Sequence, residues 1–170
     1  MLIDADYFKQ VNDKHGHGFG DIVLEVLAER FVESLRPYDR VYRYGGEEFL
    51  VMLPNTAFSE ARPVLNRLRR IASSRMIGSQ QTAIRSTVSV GAAEVTAKTP
   101  VRDAVVRADK ALYRAHASPG PRFTAVDFSG GFCYTRAVDR AISRWTPDTR
   151  QEEALSKTQS HGCAQRDFIT

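Results

Sequence analysis

The pair Gly45-Gly46 is the sequence feature that most constrains how this chain can fold. It separates two runs rich in Val, Tyr, Phe and Leu, residues 39–44 and 47–53. Glycine takes positive φ without strain, so a two-glycine link between strand-like runs predicts a tight β-hairpin. We therefore expect an antiparallel strand pair near the middle of the domain.

Apolar side chains spaced by three or four residues predict three amphipathic helices around this hairpin. The helices are expected at residues 20–35, 59–73 and 101–117, and strands at 1–4, 82–95 and 123–126. The element order β-α-β-β-α-β-α, with a final β, is typical of an α+β sandwich of the ferredoxin-like kind. Helices should pack on a central mixed sheet.

The rest of the chain and its composition narrow the class of protein. Residues 1–127 are predicted to form the domain, and 128–170 a weakly ordered tail in which only 137–145 suggests a helix. A net charge of +4 suits an anionic partner such as a nucleotide but does not require nucleic acid. No run is apolar enough for a membrane segment. Cys133 and Cys163 show neither zinc nor disulfide spacing, so we expect a cytoplasmic protein.

Acidic residues stand at two strand ends. Asp4 and Asp6 close the first strand, and Glu47-Glu48 follow the glycine pair. Each pair alone is also typical of solvated acids beside a turn. If the sheet brings them to one edge, their oxygen atoms are the ligands that Mg²⁺ prefers, with substrate phosphates completing the shell.

Three ordered sequence blocks strengthen the nucleotide interpretation. Residues 4–13 read DADYFKQVND, residues 15–21 read HGHGFGD, and residues 45–49 read GGEEF. In this order and spacing they resemble the GGDEF family of diguanylate cyclases, whose pattern is roughly D-x-D-x-F-K-x-x-N-D, G-H-x-x-G-D and GG[DE]EF. The similarity covers about residues 1–126. It implies a palm-type nucleotidyl cyclase fold and the condensation of two GTP into cyclic di-GMP with release of pyrophosphate.

The resemblance also implies roles for individual residues. Asp4, the carbonyl of Ala5, Glu47 and Glu48 would hold Mg²⁺, with Mn²⁺ as a substitute, and Glu47 and Glu48 would be catalytic. Substrate contacts are implied for Phe8, Lys9, Asn12, His17, Asp21, Gly45, Gly46 and Arg122. Asn12 and Asp21 would recognise guanine, and Phe8 and Lys9 would wrap the triphosphate through backbone N–H groups, with the Phe8 side chain in the core. A homodimer is implied because each domain binds one GTP.

A feedback site is implied as well. Arg36-Pro37-Tyr38-Asp39 matches the family's R-x-x-D motif, where the product cyclic di-GMP binds as an inhibitor. A guanidinium suits a phosphate or a guanine edge, and a carboxylate suits guanine N–H groups. Arg67 on the following helix is expected to be a further contact.

The sequence departs from the family pattern at three places. The helix that carries the family's D-x-L-T-G-L-x-N-R-R block is missing before the first strand, so we expect exposed apolar surface. His116 stands where the family has a lysine for the triphosphate, and the family's G-R-N close is replaced by residues 119–123, in which Arg122 could serve as the arginine.

These departures keep an alternative open: a catalytically impaired module that binds GTP or cyclic di-GMP and passes on a signal. A plain ferredoxin-like structural domain would leave three matched blocks as coincidences. A polymerase palm would share the metal ligands, but Asn12 and Asp21 favour the cyclase.

Overall fold

The computed structural model of the chain describes residues 1–116 and the backbone of one further strand at Phe123–Ala125. Its elements are β1 (Leu2–Ala5), α1 (Phe8–His15), α2 (His17–Ser34), β2 (Arg40–Arg43), β3 (Glu48–Met52), α3 (Phe58–Ala72), β4 (Ile77–Gly78), β5 (Ala83–Ile84), β6 (Val88–Ala92), α4 (Val101–His116) and β7 (Phe123–Ala125). Arg122, both cysteines and the predicted tail with its helix at 137–145 lie outside the described residues.

Five strands form one sheet in the order β2-β3-β1-β6-β7. The first three pairings are antiparallel, and β6 with β7 is parallel, so the predicted mixed sheet is confirmed. β4 and β5 form a separate two-stranded hairpin. None of the helices within residues 1–116 is long and apolar enough to cross a membrane.

Side chains of β1 alternate between two helical layers. Leu2 packs with Ala108 and Leu112 of α4 on one face. On the opposite face, Phe49 of β3 meets Phe31 of α2 edge to face, with ring centroids 5.4 Å apart. Because residues two apart on a strand share a face, Asp4 lies on the α4 side together with Leu2.

The region between β1 and α2 was predicted incorrectly. Residues 14–18 were expected to be a polar connection before a helix starting at residue 20, but α1 and α2 meet there with only Gly16 between them. Gly16 has φ +83°, and its N–H bonds the Asn12 carbonyl at 2.8 Å. Phe8 is the one buried residue of α1, so this short helix carries no periodic apolar signal.

The predicted strand at 82–95 is also corrected. It is divided into β5, which belongs to the small hairpin, and β6, which belongs to the main sheet. Residues 85–87 connect them without strand pairing.

Candidate active site

The two acidic ends meet because of the strand register. Asp4 of β1 lies directly opposite Glu48 of β3, and the backbone N–H of Ala5 donates to the Glu47 carbonyl at 3.2 Å. Leu2 lies opposite Leu50 one step earlier, and both pack on the α4 side. The alternation therefore places the Asp4 and Glu48 carboxylates on that same face of the sheet.

The carboxylates repel one another. Burial, followed by the charges of Glu47, Glu48 and Asp6, raises the pKa of Asp4 from 3.8 to about 7. Burial also raises the pKa of Glu48, assisted by Asp109 and Glu47 and opposed by His116. Burying several carboxylates close together costs free energy when they are ionised, and a bound cation would offset that cost.

The donor set suits Mg²⁺, because every acidic ligand offers oxygen. Among the side chains that the structure describes, no three of His, Cys, Asp or Glu are already arranged around one point as metal ligands are. The cluster is therefore a set of converging donors that an ion would draw together. The fit rests on the chemistry of the donors and on the cross-strand pairing of Asp4 with Glu48, because a cation would offset the cost of burying neighbouring carboxylates.

The glycine turn differs from the predicted one. Neither Gly45 nor Gly46 has positive φ, and the strands are joined by residues 44–47 rather than by two glycines. A Cβ at Gly45 would lie 2.6 Å from Glu48 Oε2, so a side chain there would displace the Glu48 carboxylate. Arg43 holds the turn, donating to the Gly46 carbonyl at 2.8 Å and to the Gly45 carbonyl at 3.4 Å. Arg43 was not among the predicted site residues.

The corner of α1 and α2 carries the predicted substrate residues. Phe8 is buried, as expected for its side chain, and Lys9 is exposed beside it in the first turn of α1. The first N–H groups of a helix have no partner within the helix and suit an anion. Tyr7 precedes them in the left-handed region with φ +60°, a sparsely populated conformation that clusters at functional sites.

Asn12 and Gly20 form a tight contact between α1 and α2. The Asn12 Oδ1 atom is buried without a hydrogen-bond partner. A Cβ on Gly20 would lie 1.9 Å from that atom, so a larger residue would displace the Asn12 amide. Asp21 and His17 are exposed on the same helix as Gly20. Gly20 precedes Asp21 at the end of the sequence block HGHGFGD, and this position could have identified it as a site residue.

Asp6 was predicted only as a neighbour of Asp4, and its partners were missed. Thr87 and Ser89 hydroxyls donate to its two carboxylate oxygens, each at 2.7 Å. His116 Nε2, from the end of α4, lies 3.3 Å from Asp4 Oδ1 and 3.9 Å from Asp6 Oδ1. The sequence could not show these contacts because they join residues more than eighty positions apart.

The predicted feedback residues lie on a different part of the domain. Asp39 is buried; its Oδ2 accepts the Arg36 backbone N–H at 3.0 Å, while its Oδ1 is buried without a partner. The Arg36 guanidinium is exposed and lies 3.3 Å from the Tyr38 hydroxyl. Arg67 is exposed on α3, and no hydrogen bond within residues 1–116 joins it to Arg36 or Asp39.

The family profile described as "Diguanylate cyclase, GGDEF domain" matches residues 1–121. Since this is well over half of the 170 residues, the chain belongs to the GGDEF family of diguanylate cyclases. The fold is the palm-like nucleotidyl cyclase fold of its structural neighbours.

Three similar proteins illustrate the relationship. Diguanylate cyclase A of Treponema denticola is 40% identical over 125 residues, which cover 73% of this chain and 34% of the relative. The chain thus spans about a third of that curated relative's length. The GGDEF domain of DgcB from Caulobacter crescentus, solved in complex with c-di-GMP, superposes with TM-score 0.68 at 35% identity, covering 73% and 74% of the two chains. The active GGEEF domain of a diguanylate cyclase from Vibrio cholerae gives TM-score 0.67 at 29% identity, covering 75% and 81%.

Proposed function

We propose that this chain is a cytoplasmic diguanylate cyclase that condenses two GTP into cyclic di-GMP, as a two-fold dimer that depends on Mg²⁺. The observation that carries the proposal is the cross-strand pair Asp4–Glu48, a half-buried acidic cluster beside Glu47 at the glycine turn. The cyclase named among the relatives, and the neighbour bound to c-di-GMP, support the same substrate and product.

The acidic cluster would hold the cation. The carboxylates of Asp4, Glu47 and Glu48 and the carbonyl of Ala5 are the donors available at this edge of the sheet. When bound, Mg²⁺, or Mn²⁺ as a substitute, would offset the charge that develops on the phosphate oxygens.

The corner of α1 and α2 would hold GTP. The backbone N–H groups of Phe8 and Lys9 open α1 and suit the triphosphate. Asn12 packs beside Gly20, the residue before Asp21, and the unpaired Asn12 Oδ1 is a buried acceptor that a guanine N–H group would satisfy. Asp21 and His17 on α2 are proposed as further substrate contacts. Gly45 and Gly46 would leave room for the phosphates beside the turn. Arg122 is proposed as a phosphate contact from the sequence resemblance alone.

The reaction follows from these positions. The 3′-hydroxyl oxygen of one GTP forms a bond to the α-phosphorus of the other, the bond from that phosphorus to the bridging oxygen breaks, and pyrophosphate leaves. The Glu47 carboxylate takes the hydroxyl proton, and Glu48 supports the charge of the site. A second, identical step closes the ring. One domain holds one GTP, so two domains must face each other across a two-fold axis.

Product feedback is proposed at Arg36, Asp39 and Arg67. The buried, unpartnered Asp39 Oδ1 is an acceptor for a guanine N–H group, and the exposed Arg36 guanidinium suits a phosphodiester or a guanine edge. Arg67, exposed on α3, would add a second guanidinium.

The direct test is incubation of the purified chain with GTP and Mg²⁺, with cyclic di-GMP and pyrophosphate measured. Glu47→Gln should abolish product formation while leaving the thermal transition near that of the wild type. A folded wild-type protein that binds GTP but forms no product would support the alternative, an impaired GGDEF module that signals by binding. The observation that favours this alternative is His116 itself, which stands where the family has a lysine for the triphosphate.

A further inference from the structure

We propose that His116 is a nitrogen ligand of the active-site cation, so that this centre prefers transition-metal ions such as Co²⁺ over Mg²⁺ more strongly than an all-oxygen site would. The inference rests on the proposed function, because it concerns the same metal site. It adds the identity of one ligand and the resulting selectivity among cations.

The end of α4 is held firmly over the acidic cluster. α4 packs on β6 and β1, and Gly91 of β6 permits close approach, since a Cβ there would lie 2.1 Å from the Ala108 carbonyl oxygen. About two turns after Ala108, the last residue of α4 is His116, whose side chain is 41% exposed. The imidazole therefore reaches Asp4 from a helix that has little freedom to shift.

The distance between His116 and Asp4 fits two ligands of one ion. Ligand atoms about 2.1 Å from a metal are about 3.0 Å apart at a right angle and about 3.4 Å apart in a tetrahedron. The observed separation of His116 Nε2 and Asp4 Oδ1 is 3.3 Å. A charge-assisted N–H···O⁻ bond would normally close to about 2.7–2.9 Å. The pair is thus spaced more like two neighbouring ligands than like a tight ion pair.

Asp6 lies beside this pair. Its two oxygens accept hydrogen bonds from the Thr87 and Ser89 hydroxyls, which orients its carboxylate. Its Oδ1 lies 3.9 Å from His116 Nε2, so it adds negative charge beside the site without direct bonding to the imidazole.

The chemical consequence is a change of cation preference. A neutral imidazole has a lone pair for a metal, whereas a lysine ammonium has none and repels a cation. Mg²⁺ strongly favours oxygen ligands, and imidazole suits Co²⁺, Ni²⁺ and Zn²⁺. His116 should therefore raise affinity for these ions much more than affinity for Mg²⁺.

The test is metal titration without nucleotide, in neutral to slightly basic buffer. Co²⁺ and Mg²⁺ binding to the full chain is followed by calorimetry, and the visible absorption of Co²⁺ reports nitrogen ligation. We expect His116→Gln to weaken Co²⁺ binding about tenfold or more and to change the Co²⁺ spectrum, with Mg²⁺ affinity altered less than about twofold. His15→Gln removes an imidazole that stacks on Phe19 and should change neither.

Equal Co²⁺ affinity and spectra in wild type and His116→Gln would overturn the proposal. If the variant fails to fold, nitrogen NMR of the wild-type imidazole decides: diamagnetic Zn²⁺ must shift the Nε2 signal of His116, and an unmoved signal refutes ligation. Both measurements are independent of cyclase activity. Absence of cyclic di-GMP would therefore count against the proposed function alone.

Discussion

The contact between Gly20 and Asn12 gives the sharpest single-residue prediction. In Gly20→Ala, the added Cβ would lie 1.9 Å from Asn12 Oδ1 and 3.0 Å from both Asn12 Cγ and Phe8 Cζ. The Asn12 oxygen must retreat by about 1.5 Å to reach ordinary van der Waals contact. The amide can rotate away, but the Phe8 ring is buried and has less freedom.

Gly18→Ala is the matched control, because it lies in the same helix and its Cβ would meet nothing within 4 Å. Both alanines gain about 0.5–1 kcal/mol of helix propensity. Overpacking costs about 1–3 kcal/mol in Gly20→Ala alone. We expect Gly18→Ala to be slightly more stable than wild type, and Gly20→Ala to be less stable than Gly18→Ala by about that overpacking cost.

Urea denaturation measures the stability difference, and calorimetry with GTP measures binding. Displacement of Asn12 should weaken GTP binding about tenfold, the value of one hydrogen bond to a buried group. Gly18→Ala should bind GTP within about twofold of wild type, since it leaves Asn12 in place. Equal stability and equal GTP affinity of the two variants would refute the assignment of Gly20 as the residue that seats Asn12.

Three further predictions concern the turn, the acidic cluster and the feedback site. Gly45→Ala should push the flexible end of Glu48 aside and lower cyclase activity at least about tenfold, with little loss of stability. Gly46→Ala should retain the stability of the turn, because nothing lies within 4 Å of its Cβ. Cyclase assays and thermal transitions of both variants test this prediction. Because the pKa of Asp4 rises from 3.8 to about 7 on folding, the metal-free domain should lose stability as pH rises between these values, and Asp4→Asn should lack this loss. If urea denaturation gives the wild type and Asp4→Asn the same dependence of stability on pH, the prediction is wrong. Asp39→Asn should raise the cyclic di-GMP concentration needed for half inhibition about tenfold, whereas unchanged inhibition in the cyclase assay would exclude Asp39 from the feedback site.

The sequence predicted the elements that carry periodic apolar patterns. α3 and α4 have regular apolar faces, and their observed bounds fall within about a residue of those expected. α1 was missed because one buried residue gives no period, and its helix is stabilised by packing on α2 rather than by its own pattern.

The site was predictable in its residue types but not in its contacts. The pairing of Asp4 with Glu48 follows from the register between β1 and β3, two strands that are distant in sequence, and no local pattern specifies it. Gly45 and Gly46 were predicted as turn residues and substrate contacts, whereas the structure shows that Gly45 leaves room for the Glu48 carboxylate, which a Cβ would displace. Such steric reasons depend on atoms brought together by the tertiary fold.

The register between β1 and β3 also limits how this domain can change its length. Ile3 lies opposite Phe49, both buried, while Asp4 lies opposite Glu48 on the other face. Inserting or deleting one residue within either strand would turn every later side chain to the opposite face, placing an acid in the core and an apolar residue at the active site. Insertions and deletions should therefore be excluded from these two strands and accepted in segments such as residues 93–100 between β6 and α4.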